Sequence, residues 1–167
     1  LCAIIIVICS LLMSGVNILQ TISYSKREKA LELNQIATIV NGMTEQYKDN
    51  GYLYQYTINQ LADYAGVTIV VTDPQGKVYN ISATEAQFPD TINTKDYSDV
   101  LKGNATYRTG AFNRIMKFNT FSVAAPFTVS GTVQGVIFVI SPINIALLVT
   151  YIFSGVFIGY GISELLG

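Results

Sequence analysis

The stretch GVTIVVTDPQGKVYNIS, residues 66–82, decides the fold. Before it, apolar residues recur every three or four positions. Within it the period drops to two and β-branched residues dominate, the pattern of extended chain. The turn DPQG, residues 73–76, supplies a proline with its fixed φ and a glycine that accepts a positive one. Residues 66–71 and 77–82 therefore read as two antiparallel strands joined by a tight connection. Downstream, TVQGVIFVIS (residues 132–141) is apolar on both faces, which marks a central strand covered on both sides. Residues 105–112 and 115–126 alternate as two more strands, and residues 96–102 form a short helical segment closed by Gly103. The expectation is an α+β domain built on a five-stranded antiparallel sheet.

Upstream of the hairpin, Leu33, Ile36, Val40, Met43 and Tyr47 recur at spacings of 3, 4, 3 and 4, which places them on one helical face. Ala30, Ala37 and Thr44 flank that stripe. This long helix is expected over residues 24–50, stopping before Gly51, with a short second helix around residues 58–65. The stripe has two readings: a seam with the same helix of a second copy, conducting motion, or a face laid against the chain's own sheet. Both stay open at this level.

Charge is distributed unevenly over the 167 residues. Only 13% are charged, against about 25% in ordinary soluble domains. Every charge except Glu164 lies between Lys26 and Lys117. Residues 1–22 carry none, and about twenty helical residues at ~1.5 Å each cover the ~30 Å hydrocarbon core of a bilayer. A secretory signal peptide has a shorter apolar centre and a small-residue cleavage site, which residues 17–24 lack. The run INIALLVTYIFSGVFIGYGI, residues 143–162, reads as a second span, with Ser141 and Pro142 as cap and first helical residue. Gly155 and Gly159 form a GxxxG pair able to bring two such helices close. The inter-span segment exceeds the loop length over which positive charge sets topology, so charge leaves orientation open.

The composition also excludes chemistry. With no histidine there is no Ser-His-Asp or Cys-His catalysis and no imidazole metal site within these residues. Cys2 and Cys9 both fall in the first apolar run, so neither a zinc site nor a disulfide framework is expected between the spans. A net charge of −1 gives no basis for nucleic-acid binding. No cofactor and no metal are expected. Asp96 and Asp99, at i and i+3 of a helical segment, are the nearest approach to an oxygen-ligand pair.

Two stretches carry a resemblance to a known family. The hairpin VTIVVTDPQGKVYNIS resembles the opening hairpin of extracytoplasmic PAS-like sensor domains, also called PDC or single-Cache domains. FSVAAPFTVSGTVQGVIFVISPI resembles their closing strand pair, with its Ala-Pro strand end, glycine turn, apolar strand and Ser-Pro exit into a membrane helix. That last combination is similar to sensor histidine kinases of Gram-positive bacteria. The resemblance implies that the inter-span domain faces outward and that a linker and a histidine-phosphorylating kinase core, acting on a response regulator, follow Gly167. It also implies a ligand lying against the sheet beneath the loops between the hairpin and the middle strands. On that basis Tyr79, Tyr107, Arg108, Lys117, Thr120 and Ser122 are the candidate ligand residues, with Arg108 and Lys117 suited to an anion. Citrate- and dicarboxylate-binding relatives carry an arginine four residues before the proline of this strand, where this chain has Ser122.

The sequence thus leads to an expected organisation. Residues 1–23 form a first transmembrane helix, 24–50 a membrane-proximal helix, 51–141 the extracytoplasmic PAS-like sensor domain, 142–163 a second transmembrane helix and 164–167 the start of a cytoplasmic linker. The function implied is the sensory and transmembrane signalling region of a two-component sensor histidine kinase in the cell membrane. It would act as a homodimer responding to a small ligand or an envelope protein, with no catalysis in these residues. The same input can serve a chemotaxis receptor or a cyclic-dinucleotide enzyme. A membrane assembly protein without catalytic output is the reading from a different class.

Overall fold

In a computed structural model, the backbone is described for residues 2–47, 49–82, 88–112, 116 and 119–143, and side chains from residue 23 onward within these, Glu45 excepted. The elements are α1 (Cys2–Gln46), α2 (Gly51–Ala65), β1 (Thr68–Thr72), β2 (Val78–Ile81), a 3₁₀ turn (Lys95–Tyr97), α3 (Ser98–Leu101), β3 (Thr106–Gly110), β4 (Thr120–Val129) and β5 (Thr132–Pro142). The chain divides into two compact units: Leu1–Arg27 with Asn144–Gly167, and Glu28–Ile143. The second unit holds the whole sheet. Among the described residues no helix is long and apolar enough to cross a membrane. The backbone of the first expected span is helical and continuous with the next segment as α1, while its side chains up to residue 22, all of residues 144–167 and with them the Gly155–Gly159 pair lie outside the described residues. Ser141 and Pro142, expected as the cap and first residue of a second membrane helix, are instead the last residues of β5.

The sheet is antiparallel throughout, in the order β2-β1-β5-β4-β3. β5 is central, as its two apolar faces require. Ile137 and Val139 point to one side, Val136, Phe138 and Ile140 to the other, and all five are buried. The hairpin forms as its turn residues dictate. Gly76 takes φ +90°, its N–H donates to the Asp73 carbonyl, and the Lys77 N–H donates to the Asp73 carboxylate at 2.8 Å.

β4 lies further along the chain than its alternation suggests, at 120–129 rather than 115–126. Pro126 does not end it. Ala124 is the last residue of β4 paired with β3, and beyond it β4 has a neighbour on one side only, where a strand tolerates proline. α2 is also longer than expected, reaching back to Gly51. The Asn50 side chain caps it by accepting from the Leu53 N–H at 3.1 Å. Gly66, at φ 63°, closes its other end in the left-handed conformation.

The inner face of the sheet packs on the two long helices. Leu33, Ile36, Ala37 and Val40 of α1 and Ile58 and Ala62 of α2 meet Ile69, Val71, Phe121, Val123, Ile137 and Val139. Of the two readings open for the helix stripe, the packing here is that of a face laid against the chain's own sheet. Leu33 and Val40 are fully buried and Ile36 nearly so, against the chain's own sheet, while Met43 and Tyr47 are half-buried. Burying such side chains stabilises by about 1.5–3 kcal/mol each, and an intramolecular sheet offers that burial without the entropy cost of association. The outer face carries a second core of Val70, Ile92, Tyr97, Val100, Phe112, Ala124, Val136, Phe138 and Ile140.

Candidate functional site

Register across the outer face sets out one row of side chains. Arg108 on β3 stands opposite Ser122 on β4, Ser122 opposite Ile140 on β5, and Ile140 opposite Thr68 on β1. Opposed residues of antiparallel strands share a face, and Ile140 belongs to the outer core, so the whole row lies on that side. The row crosses four strands, about 14 Å at ~4.8 Å per strand.

At the Thr68 end lies a cleft of about 270 Å³, lined by Ala62, Asp63, Gly66, Val67, Thr68, Ser82, Phe88, Met116, Ile140 and Pro142. Its lining is mainly apolar, with one carboxylate and two hydroxyls. Ser82 is fixed from both sides: its hydroxyl accepts from the Ile69 N–H at 2.8 Å and its own N–H donates to the Ile69 carbonyl at 2.9 Å. The α2 C-cap at Gly66 turns the chain into β1 and so brings the end of the helix to this rim.

At the other end stands Arg108, half exposed. Its Nη2 donates to the Asp96 backbone carbonyl at 2.8 Å, and its Nη1 lies 3.5 Å from the Asp96 Oδ2. The guanidinium also sits over the Tyr97 ring, 4.8 Å from its centroid. Tyr97 in turn meets Phe138 edge-on at 4.9 Å, and Phe138 meets Phe112 at 5.3 Å. Burial pushes the Tyr97 phenol above its ordinary range, the Arg108 charge pulls it back, and the Asp96 charge adds to the rise. Two residues before Arg108 on the same face, the Thr106 hydroxyl is buried and has no hydrogen-bond partner.

Of the residues singled out from the sequence, Arg108 and Ser122 are brought together. Thr120 is buried on the same face, and its hydroxyl donates to the Gly110 carbonyl at 2.7 Å, fastening the end of β3. Tyr107 is on the opposite side of the sheet from Arg108, stacked on Phe121 with ring centroids 6.3 Å apart. Tyr79 is exposed beside the register shift between β1 and β2. Lys117 lies outside the described residues. Asp96 and Asp99 do not act as a pair: the first faces Arg108 and the second Lys102 at 3.0 Å. Asp96 and Tyr97 as partners of Arg108, and the unspent Thr106 hydroxyl, are not visible in the sequence. Twelve residues separate Arg108 from Asp96, and only the sheet brings them together.

No protein-family model matches this chain, and no curated protein is significantly similar to it. Solved structures are similar in fold. The sensor domain of the V. cholerae histidine kinase DctB superposes with a TM-score of 0.61 at 11% identity, over 79% of this chain and 54% of that one. The ligand-binding domain of the Campylobacter jejuni chemoreceptor Tlp3, in complex with 4-methylisoleucine, gives a TM-score of 0.49 at 15% identity, over 80% of this chain and 56% of that one. The match thus spans little more than half of each solved chain. The α+β fold with its five-stranded antiparallel sheet is similar to the fold of that histidine kinase sensor domain.

Proposed function

We propose that this chain is the sensory input region of a bitopic membrane receptor whose output is a sensor histidine kinase acting on a response regulator. The observation that carries the reading is the fold shared with the sensor domain of a histidine kinase. The charge pattern supports the rest: residues 1–22 and 143–162 are uncharged and long enough to span, and the charged segment between them holds the sheet. In this reading residues 51–141 are extracytoplasmic and bind a small ligand on the outer face. α1 and the end of β5 carry the response to the two spans. Ala30 and Ile143, where these two elements leave the domain, pack on the same inner core, so a shift of that core reaches both.

Arg108 is the charged group best placed to meet the ligand. The resemblance to citrate- and dicarboxylate-binding relatives puts an arginine at the Ser122 position; here Arg108 faces that position from the neighbouring strand. The homodimer belongs to the same proposal. With Leu33, Ile36 and Val40 committed to the inner core, the α1 surface left for a second copy carries Leu31 and Ile39, 58% and 47% exposed.

The test is topology in intact bacterial cells. Asn104 is exposed at the turn before β3, and Asn104→Cys is expected to react with a membrane-impermeant maleimide added outside. Labelling only after the cells are broken would overturn the extracytoplasmic receptor.

A further inference from the structure

We propose that the Asp96 carboxylate is a built-in competitor for a small anionic ligand, of the carboxylate class, at Arg108. The inference rests on the sensory reading in taking the outer face as the ligand face. Arg108 carries five N–H donors in a fixed fork. Two contacts hold it in place: one short bond to the Asp96 backbone carbonyl and the Tyr97 ring beneath it. Neither of these uses the Asp96 carboxylate. That group stands 3.5 Å from Nη1, too far for a good hydrogen bond, and both side chains are about half exposed. A loose, solvated ion pair of this kind contributes little to stability.

The arginine is therefore positioned while most of its donors remain free for an anion. Two hydroxyls share its face. Ser122 stands directly across the strand pair, and the hydroxyl oxygen of half-buried Thr106, two residues away, is buried without a partner. A buried hydroxyl with no acceptor or donor is rare in a folded protein and calls for one. A free carboxylate can take two parallel N–H bonds from the guanidinium, with the hydroxyls serving its remaining lone pairs. The Asp96 carboxylate does not occupy that position: it meets one guanidinium nitrogen only, at 3.5 Å. It acts as a tethered, weaker occupant that the ligand displaces. When it is displaced, the 3₁₀ turn of Lys95–Tyr97 loses one of its ties to β3, which gives ligand binding a structural consequence on the outer face.

The experiment uses the full chain in nanodiscs of zwitterionic lipid, with succinate, citrate and inorganic phosphate as probes and titration calorimetry as the readout. At least one probe is expected to bind the unaltered chain saturably. Asp96→Asn removes the competitor and is expected to tighten that binding about 3-fold or somewhat more, the scale of losing one weak, exposed ion-pair partner. Asp99→Asn removes the same charge from the adjoining helix α3, away from Arg108, and is expected to change affinity less than about twofold, the screening expected of an exposed charge. Arg108→Gln is expected to abolish binding. Thr106→Val is expected to weaken it without loss of folding, since the hydroxyl it removes has no partner. Equal effects of Asp96→Asn and Asp99→Asn would overturn the proposal in favour of general electrostatics. Absence of binding by all three probes to both the unaltered and the Asp96→Asn chain would overturn it as well. An outward-labelled Asn104→Cys chain that binds no anion loses this inference alone and keeps the receptor reading.

Discussion

Asn41 of α1 and Thr128 of β4 are joined by a reciprocal pair of hydrogen bonds. The Asn41 amide donates to the Thr128 hydroxyl at 2.7 Å, and its carbonyl oxygen accepts from the Thr128 backbone N–H at 2.8 Å. The contact falls where the β4–β5 ladder changes register, between Phe127 and Thr128. A β-bulge leaves a backbone group without a ladder partner, and here a side chain from the helix supplies one. The apolar contacts of α1 permit sliding along the sheet, whereas this pair fixes its position at one point.

Asn41→Ala is expected to cost about 1–3 kcal/mol, because it strands a part-buried N–H and a hydroxyl rather than removing both partners. Urea denaturation of the chain measures the loss. Hydrogen exchange at the Thr128 amide is expected to accelerate in the variant, and unchanged protection there would show that the amide has another acceptor.

Two glycines are required by space and one is not. A Cβ on Gly135 would overlap the Thr72 carbonyl where β5 passes the end of β1, and one on Gly76 would overlap the Ile92 carbonyl at a residue with φ +90°. In both cases the obstacle is backbone, which cannot move aside as a flexible side chain can. Gly135→Ala and Gly76→Ala are each expected to destabilise by about 3 kcal/mol or more. Gly42 sits in α1 with nothing within reach of an added Cβ, and Gly42→Ala is expected to stabilise by about 0.5–1 kcal/mol. Denaturant midpoints of the three variants check the order.

Alkaline pH is expected to unfold the domain in part through two tyrosines. Burial raises the phenols of Tyr54 and Tyr97 above their ordinary value of 10.0; the Thr44 hydrogen bond opposes this at Tyr54, and the Arg108 charge opposes it at Tyr97. A group whose folded pKa lies above its unfolded one contributes stability that is full below pH 10 and is lost as pH rises through the folded value. The stability of the unaltered chain is expected to fall more steeply above pH 10 than that of the Tyr54→Phe, Tyr97→Phe double variant. Parallel curves would remove these phenols from the account.

The dimer proposed for α1 separates its two faces. Leu31→Cys is expected to form a disulfide-linked pair under mild oxidation in membranes, and Val40→Cys is not, because Val40 is fully buried. Efficient cross-linking at Val40 would mean that the helix leaves the sheet to pair with its twin.

Asn80-Ile81-Ser82 illustrates what a short sequence pattern leaves open. It has the form of a glycosylation acceptor, yet the Asn80 side-chain oxygen is buried without a partner and the Ser82 hydroxyl is already bonded to the Ile69 N–H. The helix stripe of Leu33, Ile36 and Val40 is similar. Periodicity tells which residues seek burial, and it is silent on whether the covering surface belongs to the same chain or to another.

Within residues 28–143 the kind and succession of elements were legible in the sequence, because hydrophobic period and turn chemistry are local. The 3-4 spacing of α1, the Asp-Pro-Gln-Gly turn and the two-faced apolar run of β5 depend on neighbours a few residues away. Tertiary structure alone decided the strand order, the partner of the α1 stripe and the make-up of the site. Strand order depends on long-range pairing, such as Thr68 with Ile140, which no local pattern encodes. The site depends on the same pairing: Arg108 meets Ser122 across a ladder and Asp96 over a twelve-residue connection. Its chemistry is a sum of weak contacts, each fixed only once the sheet has closed.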